Sequence, residues 1–173
     1  MAEAAREIKK PLSQSTPLNQ PFWDGTKNGK LVMQRCEDCH SWVWCPRPVC
    51  GECGSDKLAW SQISGRGKVF AFTVIREVVG RALRGFAPDI PYVTAWIDLD
   101  DGTRFCSNII GCPIESVKIG LEVEVTFEDT GDGLTLPKFK PSPRVTRSAG
   151  SFPQSAVVKV RESVKPQSAT HCY

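Results

Sequence analysis

Short stretches in which apolar and polar residues alternate run through the middle of the chain. Five of them are predicted to be β-strands, because a strand that buries one face shows a period of two and ends at turn residues. They cover residues 68–74, 92–99, 103–110, 121–127 and 134–140. Asp101-Gly102 is a hairpin signal between the second and the third, and the connector at 111–120 has room for one helical turn. This order favours a partly open Greek-key barrel of the OB type.

The chain ahead of the barrel has a different pattern. Residues 1–18 are polar and predict a flexible lead-in. A short helix is predicted to begin at Asn19 or Gln20, since Pro21 suits the first turn of a helix and two following glycines limit its length. A brief strand at 30–35 then leads into a segment rich in cysteine, proline and tryptophan, which is too irregular for a helix.

Four of the eight cysteines have the spacing of a metal site. Cys36-x-x-Cys39 and Cys50-x-x-Cys53 are separated by ten residues, and each pair bends the backbone so that two thiolates converge. Four sulfur ligands leave no open position for a catalytic water, so we predict a structural zinc ion, with iron as the competing metal. In a chain without a secretory signal, this reading is favoured over a disulfide framework.

The residues near these pairs bear on the same prediction. Gly54 follows the second pair and His40 the first, at a position where the backbone enters the left-handed region that glycine, and to a lesser extent histidine, tolerates. Cys45 lies between the pairs and is either a spectator or a substitute ligand. We divide the chain into the lead-in at 1–18, a helix plus zinc ribbon at 19–60, an OB-fold at 61–141 and a basic, Pro- and Ser-containing tail at 142–173.

The net charge of +3 is unevenly distributed. From Lys138 onward there are seven basic residues and one acidic residue, which makes this part +6, whereas residues 1–137 carry fifteen basic and eighteen acidic residues, which makes them −3. A nucleic-acid-binding body usually has a basic surplus, so that function is disfavoured. No run approaches the ~20 apolar residues of a membrane span, and the N-terminus has no apolar signal core. We therefore predict a cytoplasmic location.

The sequence lacks the usual catalytic pairs. Its two histidines are His40, in the cysteine-rich segment, and His171, near the end, so a serine or cysteine nucleophile has no good base. There is also no GxSxG, HExxH or phosphate-binding Gly-Lys-Ser/Thr motif. We therefore assign no catalytic residue and do not expect an enzyme acting alone.

Taken in order, these motifs resemble the DUF35 family. The matching residues are Pro21-Phe22-Trp23, Arg35-Cys36-x-x-Cys39, Pro46-Arg47-Pro48-x-Cys50-x-x-Cys53-Gly54-Ser55, Gly65-x-Gly67-x-Val69, Phe72-Thr73-Val74, Pro91-Tyr92-Val93, Leu99-x-x-Gly102, residues 107–112, Ile119-Gly120-x-x-Val123 and Leu136-Pro137-Lys138-Phe139. The resemblance implies a mainly β protein: a short N-terminal helix and a rubredoxin-like zinc ribbon, followed by a five-stranded OB-fold barrel. His40 and Cys45 depart from the family pattern, which has glycine and often proline there.

The resemblance also implies a function. Such proteins are accessory subunits that form hetero-oligomers with thiolases, condensing enzymes, hydratases or aldolases and help to bind the CoA part of the substrate. Arg81 and Arg84, with Phe86 beside them in the long link at 76–91, are candidates for CoA contacts, because arginine pairs well with phosphate. If these residues do not contact CoA, the link is a solvated connector or an arm that docks on a partner.

Two further questions stay open at this point. Phe22 and Trp23 either pack on the ribbon or contact a partner. The alternatives to an accessory subunit are a stand-alone acyl-CoA-binding module, a single-stranded nucleic-acid-binding OB protein, or electron transfer by bound iron.

Overall fold

Eight strands, one α-helix and two 3-10 segments make up the described part of the chain. The computed structural model describes residues 13–131 and 133–142, apart from the side chains of residues 81–84. The elements are α1 (Gln20–Lys27), β1 (Val32–Cys36), β2 (Trp42–Val43), β3 (Leu58–Gln62), β4 (Arg66–Ile75), a 3-10 segment (Arg81–Asp89), β5 (Tyr92–Leu99), β6 (Arg104–Ile109), a 3-10 turn (Ile114–Ser116), β7 (Glu122–Asp129) and β8 (Thr135–Pro141). Most of the predicted lead-in and nearly all of the predicted tail lie outside the described residues.

The N-terminal half of the described chain forms a small sheet beside a helix. The strand order is β2-β1-β3 and both pairs are antiparallel. The helix α1 begins with proline in its first turn, as the sequence predicted, and it buries Phe22, Trp23 and Thr26 on one face. Because Gly29 adopts a φ of +67° just after the helix, the chain turns sharply there and enters β1.

The C-terminal half closes into a barrel with the strand order β4-β5-β6-β8-β7. All neighbouring pairs are antiparallel except β6 and β8, which run parallel and pair only at Ile109 and Phe139. The predicted mainly β fold, with a five-stranded OB barrel, is therefore confirmed. The helical turn predicted in the connector before β7 is also present, at Ile114–Ser116.

Alternation along the strands builds the barrel core. In β5, Val93, Ala95, Ile97 and Leu99 are buried, while the residues between them face outward. Phe139 of β8 joins them and is completely buried. Because side chains alternate across a strand, one face of each strand supplies the core and the other remains available for contacts outside the barrel.

The structure adds elements that the sequence pattern did not predict. The strand β2 has only two residues, and β3 is half-buried along most of its length. Neither strand therefore shows the alternation by which strands are recognised. The long link contains a 3-10 segment, Arg81–Asp89, instead of an irregular loop. Within the described residues, no helix is long and apolar enough to cross a bilayer.

Candidate metal centre

Two equivalent backbone turns present the four cysteines. In the first, the N–H of His40 donates to the Cys36 carbonyl, and the N–H of Cys36 donates to the Ser41 carbonyl, both at 3.0 Å. The second repeats this pattern: Gly54 N–H donates to Cys50 at 3.0 Å, and Cys50 N–H donates to Ser55 at 2.7 Å. Each turn therefore points both of its thiols to the same side.

The residue that closes each turn has a positive φ. This angle is +61° at His40 and +76° at Gly54, so both predictions of a left-handed residue are confirmed. Glycine has no Cβ to clash there, whereas any other L-residue in this region is strained. The first turn thus contains a conformational cost that the second avoids.

The four sulfurs are close enough to share one ion. Sγ of Cys36 lies 3.6 Å from Sγ of Cys53, and Sγ of Cys39 lies 3.6 Å from Sγ of Cys50. All four Sγ atoms lie within 4.8 Å of one another. A zinc–sulfur bond of 2.3 Å places the sulfurs of a tetrahedron about 3.8 Å apart. The cluster therefore fits a four-coordinate metal ion.

The neighbours of Cys39 and Cys53 shift the pKa values of these two exposed thiols in opposite directions. The Ser41 hydroxyl and then the Ser41 backbone N–H lower the pKa of the Cys39 thiol to about 6. At Cys53 the backbone hydrogen bond from Ser55 acts to lower the pKa, but the neighbouring thiols of Cys39 and Cys36 outweigh it and raise the pKa to about 12. Metal binding acts against this rise, because a metal ion binds the thiolate and releases the proton.

An exposed polar cluster ties the two cysteine turns to each other. The Asp38 carboxylate accepts a hydrogen bond from the Ser55 hydroxyl at 2.7 Å and another from Lys57 Nζ at 3.3 Å. The hydrogen bond from Ser55, followed by that from Lys57, lowers the pKa of Asp38. Since Asp38 lies in the first turn and Ser55 in the second, this contact helps to hold the turns face to face.

The ribbon is fixed to the barrel by a few defined contacts. The indole N–H of Trp42 donates to the carbonyl of Asp101, in the β5–β6 hairpin, at 2.8 Å. Trp44 packs on Phe22 and Phe105, with ring centroids 4.7 and 4.9 Å apart. These contacts hold the cysteine cluster in a fixed position beside the barrel.

Comparison with known proteins gives the family. The model described as "ChsH2, rubredoxin-like zinc ribbon domain" matches residues 23–59, and the model described as "ChsH2, C-terminal OB-fold domain" matches residues 60–128. A DUF35 domain-containing scaffold protein of Methanocaldococcus jannaschii is 34% identical over 118 residues, which are 64% of this chain and 81% of that protein. The chain belongs to the DUF35 family.

Two other relatives extend the comparison beyond scaffold proteins. A Thermomonospora curvata protein described as "Probable enoyl-CoA hydratase alpha subunit" is 32% identical over 143 residues, 81% of this chain and 43% of that protein. The chain thus spans less than half the length of this relative. A solved structure described as "Ltp2-ChsH2(DUF35) aldolase" superposes with a TM-score of 0.65 at 29% identity, over 75% of this chain and 98% of that one.

In this DUF35 chain the two aromatics of α1 lie inside the protein. Phe22 is 4% exposed and Trp23 is 7% exposed, and the two rings meet edge to face at 4.9 Å. Phe22 also reaches Phe105 of the barrel. The structure thus gives both rings the packing role that the sequence analysis held open, and their contact with a partner stays an untested prediction.

The remaining predicted site residues are away from the cysteine cluster. Arg81 and Arg84 begin the 3-10 segment, and their side chains lie outside the described residues. Phe86 is half-buried, with its ring 6.4 Å from that of Tyr92. Cys45 is exposed and is not one of the four clustered cysteines, so a ligand role for it gains no support.

The sequence analysis missed an aromatic surface on the barrel. Phe70 and Trp96 are 47% and 49% exposed, and Phe72 is 37% exposed. They lie on the paired strands β4 and β5, beside a register irregularity between Val69 and Ala71. The signal was available in β5, where strict alternation puts Trp96 on the outward side between two buried residues. Phe72 pairs with the buried Ala95 and therefore lies on the other side of the sheet from Trp96. We call Phe70 and Trp96 the aromatic face.

Proposed function

We propose that this chain is an accessory subunit of an acyl-CoA-processing complex, in which it works beside a hydratase- or aldolase-type enzyme. The main support is the extent of the structural match, which covers 98% of the DUF35 chain of a protein described as an aldolase. A relative described as a hydratase alpha subunit matches across both ribbon and barrel. A thiolase-like or condensing enzyme is the second class of partner that the resemblance implies.

In this proposal the ribbon carries zinc and the partner supplies the catalytic residues. The four thiols of Cys36, Cys39, Cys50 and Cys53 would bind one Zn2+ ion, whose chemistry there is structural because sulfur fills every coordination position. Rubredoxin-like cages also accept iron, and the visible absorption of an iron–thiolate centre distinguishes the two.

The aromatic face is the surface that we assign to the partner enzyme. Aromatic residues and arginine are enriched at the centres of protein interfaces. The guanidinium of Arg104 lies 3.5 Å from the centroid of the Phe70 ring, and it also pairs with Asp98 at 2.7 Å. This pairing leaves little net charge beside Phe70, which suits an apolar region on the partner.

The CoA part of the substrate is assigned to the 3-10 segment after β4. Arg81 and Arg84 would contact the phosphates, with Phe86 available for the adenine ring. Loops that are positioned by a rigid barrel frequently carry binding residues. Replacing both arginines by alanine is expected to weaken CoA binding by the complex at least tenfold, as measured by calorimetry, without changing the zinc content.

Co-expression with candidate hydratase and aldolase subunits tests the proposal. We expect one of them to co-purify with the tagged chain and the pair to turn over an acyl-CoA that neither chain converts alone. Trp96→Ala should reduce recovery of the partner at least tenfold. Val49→Ala is the matched control, because Val49 is a 46% exposed apolar residue on the ribbon.

The outcomes separate the parts of the proposal. Turnover of acyl-CoA by the isolated chain would contradict the accessory role. Full recovery of the partner with Trp96→Ala would reject the aromatic face while leaving the complex intact. Salt-dependent binding of single-stranded DNA, lost in Trp96→Ala, would instead assign this face to nucleic acid, a common ligand of OB barrels.

A further inference from the structure

A groove of about 340 Å³ lies where α1, the ribbon and the barrel meet. Its walls include Phe22 of α1, Trp44 of the ribbon and Phe105 of β6, whose rings contact one another. Further apolar residues of the ribbon and of β8 continue the lining: Pro46, Leu136 and Pro137. We call it the junction groove. Because its walls belong to three separate parts of the fold, an occupant of the groove joins the helix, the ribbon and the barrel.

The described part of the chain begins at this groove. Ser13 is its first residue and is one of the residues that line the groove. The chain between Ser13 and α1 is held by hydrogen bonds: the N–H of Thr16 donates to the side-chain oxygen of Asn19 at 2.7 Å, and the Asn19 amide donates to the Gln14 carbonyl at 3.2 Å. Asn19 lines the groove as well. Residues 1–12 are therefore attached at a fixed point beside the groove.

The two residues directly before Ser13 have the chemistry of the lining. They are Pro11 and Leu12, and both side chains are apolar. Proline has no backbone N–H that would need an acceptor inside an apolar groove, and proline-rich segments of other proteins dock in aromatic-lined grooves. Lys9 and Lys10 come before them, and charged side chains are rarely buried without a partner, so the apolar stretch ends there.

The polar side chains on the barrel side of the groove already have partners. The Ser107 hydroxyl donates to the Pro137 carbonyl at 2.6 Å, and the Asn108 amide donates to a carbonyl of β5 at 3.0 Å. Lys138 Nζ lies 2.6 Å from a Glu128 carboxylate oxygen. An apolar occupant can therefore displace water from the aromatic rings without leaving any of these polar groups unpaired.

The position of Leu12 in the chain favours it over other occupants. It is bonded directly to a residue of the lining, so its docking closes no loop, and its effective concentration at the groove is high. The valine-containing segment at 156–160 is the other apolar stretch outside the described residues, and fourteen residues separate it from the end of β8. The entropic cost of closing a loop increases with its length, so the tail is the less favoured occupant.

We propose that Pro11 and Leu12 dock in the junction groove and tie α1 to the ribbon and the barrel. The sequence analysis predicts a flexible lead-in at 1–18, and this proposal gives two of its residues a fixed place. It goes beyond the proposed function, because it concerns contacts within this chain and does not depend on which enzyme is the partner.

Two measurements on the full-length, zinc-loaded chain test the proposal. Nuclear magnetic resonance should show Overhauser contacts between the Leu12 methyl groups and the ring protons of Trp44. The second measurement is the rate at which iodoacetamide alkylates single cysteines, followed by mass spectrometry. Cys45 and Cys106 are exposed and line the groove, whereas Cys112 is half-buried and does not line it. Leu12→Ser removes the apolar contact, so it should make Cys45 and Cys106 react about three to ten times faster and leave Cys112 unchanged.

Leu18→Ser is the matched control. Leu18 is 42% exposed and does not line the groove, so this variant should alkylate at the wild-type rates. The proposal is overturned if Leu12 shows no contact with the Trp44 ring, or if Leu12→Ser and the wild type alkylate equally fast. Faster alkylation in Val158→Ser in place of Leu12→Ser would assign the groove to the tail. Protection of Cys45 that arises only when a partner enzyme is added would assign the groove to that enzyme, and either result also overturns the proposal.

Discussion

The barrel, together with α1 and β1, contains one large apolar cluster, whereas the buried residues of the cysteine-rich segment at 36–57 are two thiols and a valine. The barrel cluster includes Val69, Ile97 and Phe139, together with the aromatics of α1. The ribbon cluster consists of Cys36, Val43 and Cys50, with Leu58 packed against it. The two regions therefore depend on different interactions for their stability.

The size of each cluster shows which interaction dominates. Burying a large apolar side chain contributes about 1.5 to 3 kcal/mol, so the barrel can fold on apolar burial. One buried valine cannot offset the conformational entropy of ordering residues 36–57. A structural zinc ion contributes about 10 kcal/mol to a module of this kind. We therefore expect the ribbon to depend on a bound metal ion and the barrel to depend on its apolar core.

Removing the metal is expected to have the largest effect. Cys50→Ser takes away a buried sulfur, so we expect less than a tenth of the wild-type zinc content and loss of amide protection over residues 36–57. Protection in β5 to β7 should persist, because the barrel retains its own core. Hydrogen exchange and elemental analysis measure both effects.

The control for that experiment is Cys45→Ser. Cys45 lies between the two cysteine pairs in sequence but outside the cluster of four, so one zinc ion per chain should remain. If the whole chain folds without any metal, or if the ribbon keeps its amide protection after a chelator has removed the ion, the ribbon does not depend on metal and the proposed difference between the two regions is wrong. A coloured protein would show iron in place of zinc.

A change in the barrel core should lower the stability of the barrel and leave the zinc content unchanged. Ile97 has no exposed surface, and Ile97→Ala leaves a cavity in a packed core. We expect the free energy of unfolding to fall by about 2 to 5 kcal/mol, as measured by guanidinium denaturation. Ile119→Ala, at a 70% exposed residue, should change it by less than about 0.5 kcal/mol. Zinc content should be normal in both, and zinc loss in Ile97→Ala would show that the two regions unfold together.

The barrel was predictable from sequence because each of its strands has one buried face. Alternation in β5 and the Asp101-Gly102 turn are local signals, and they determine where strands lie. The cysteine cluster was predictable for a similar reason, since CxxC spacing implies convergent thiols. In contrast, β3 is half-buried for most of its length, so no alternation of apolar and polar residues identified it as a strand.

The packing around α1 and the aromatic face were not predictable to the same degree. The rings of Phe22 and Trp44 meet Phe105 of the barrel, and these residues are far apart in sequence, so no local pattern reveals their contact. Trp96, by comparison, could have been placed outward from strand parity alone, and only its grouping with Phe70 required the structure.

The hydrogen bond between the two regions should have a smaller effect. Trp42→Phe removes the donor to the Asp101 carbonyl but keeps an aromatic ring, so we expect a loss of about 0.5 to 1.5 kcal/mol in the stability of the ribbon. The same replacement at Trp60, a half-buried residue of β3, is the control. If both variants lose equal stability, ring packing rather than the hydrogen bond joins the regions.

The smallest effects are expected within the two cysteine turns, where they also have opposite signs. A Cβ added at Gly54 would meet no atom within 4 Å, so Gly54→Ala is disfavoured by the positive φ alone, and we expect it to lower ribbon stability by about 1 kcal/mol. His40→Gly relieves the same strain in the first turn, and it should raise stability by a few tenths of a kcal/mol after the entropy of glycine in the unfolded chain is subtracted. Competition with a chelator of known zinc affinity measures both changes. Because the hydrogen bonds of the two turns are equivalent, a loss of stability in His40→Gly would mean that the imidazole has a role that its backbone position does not explain.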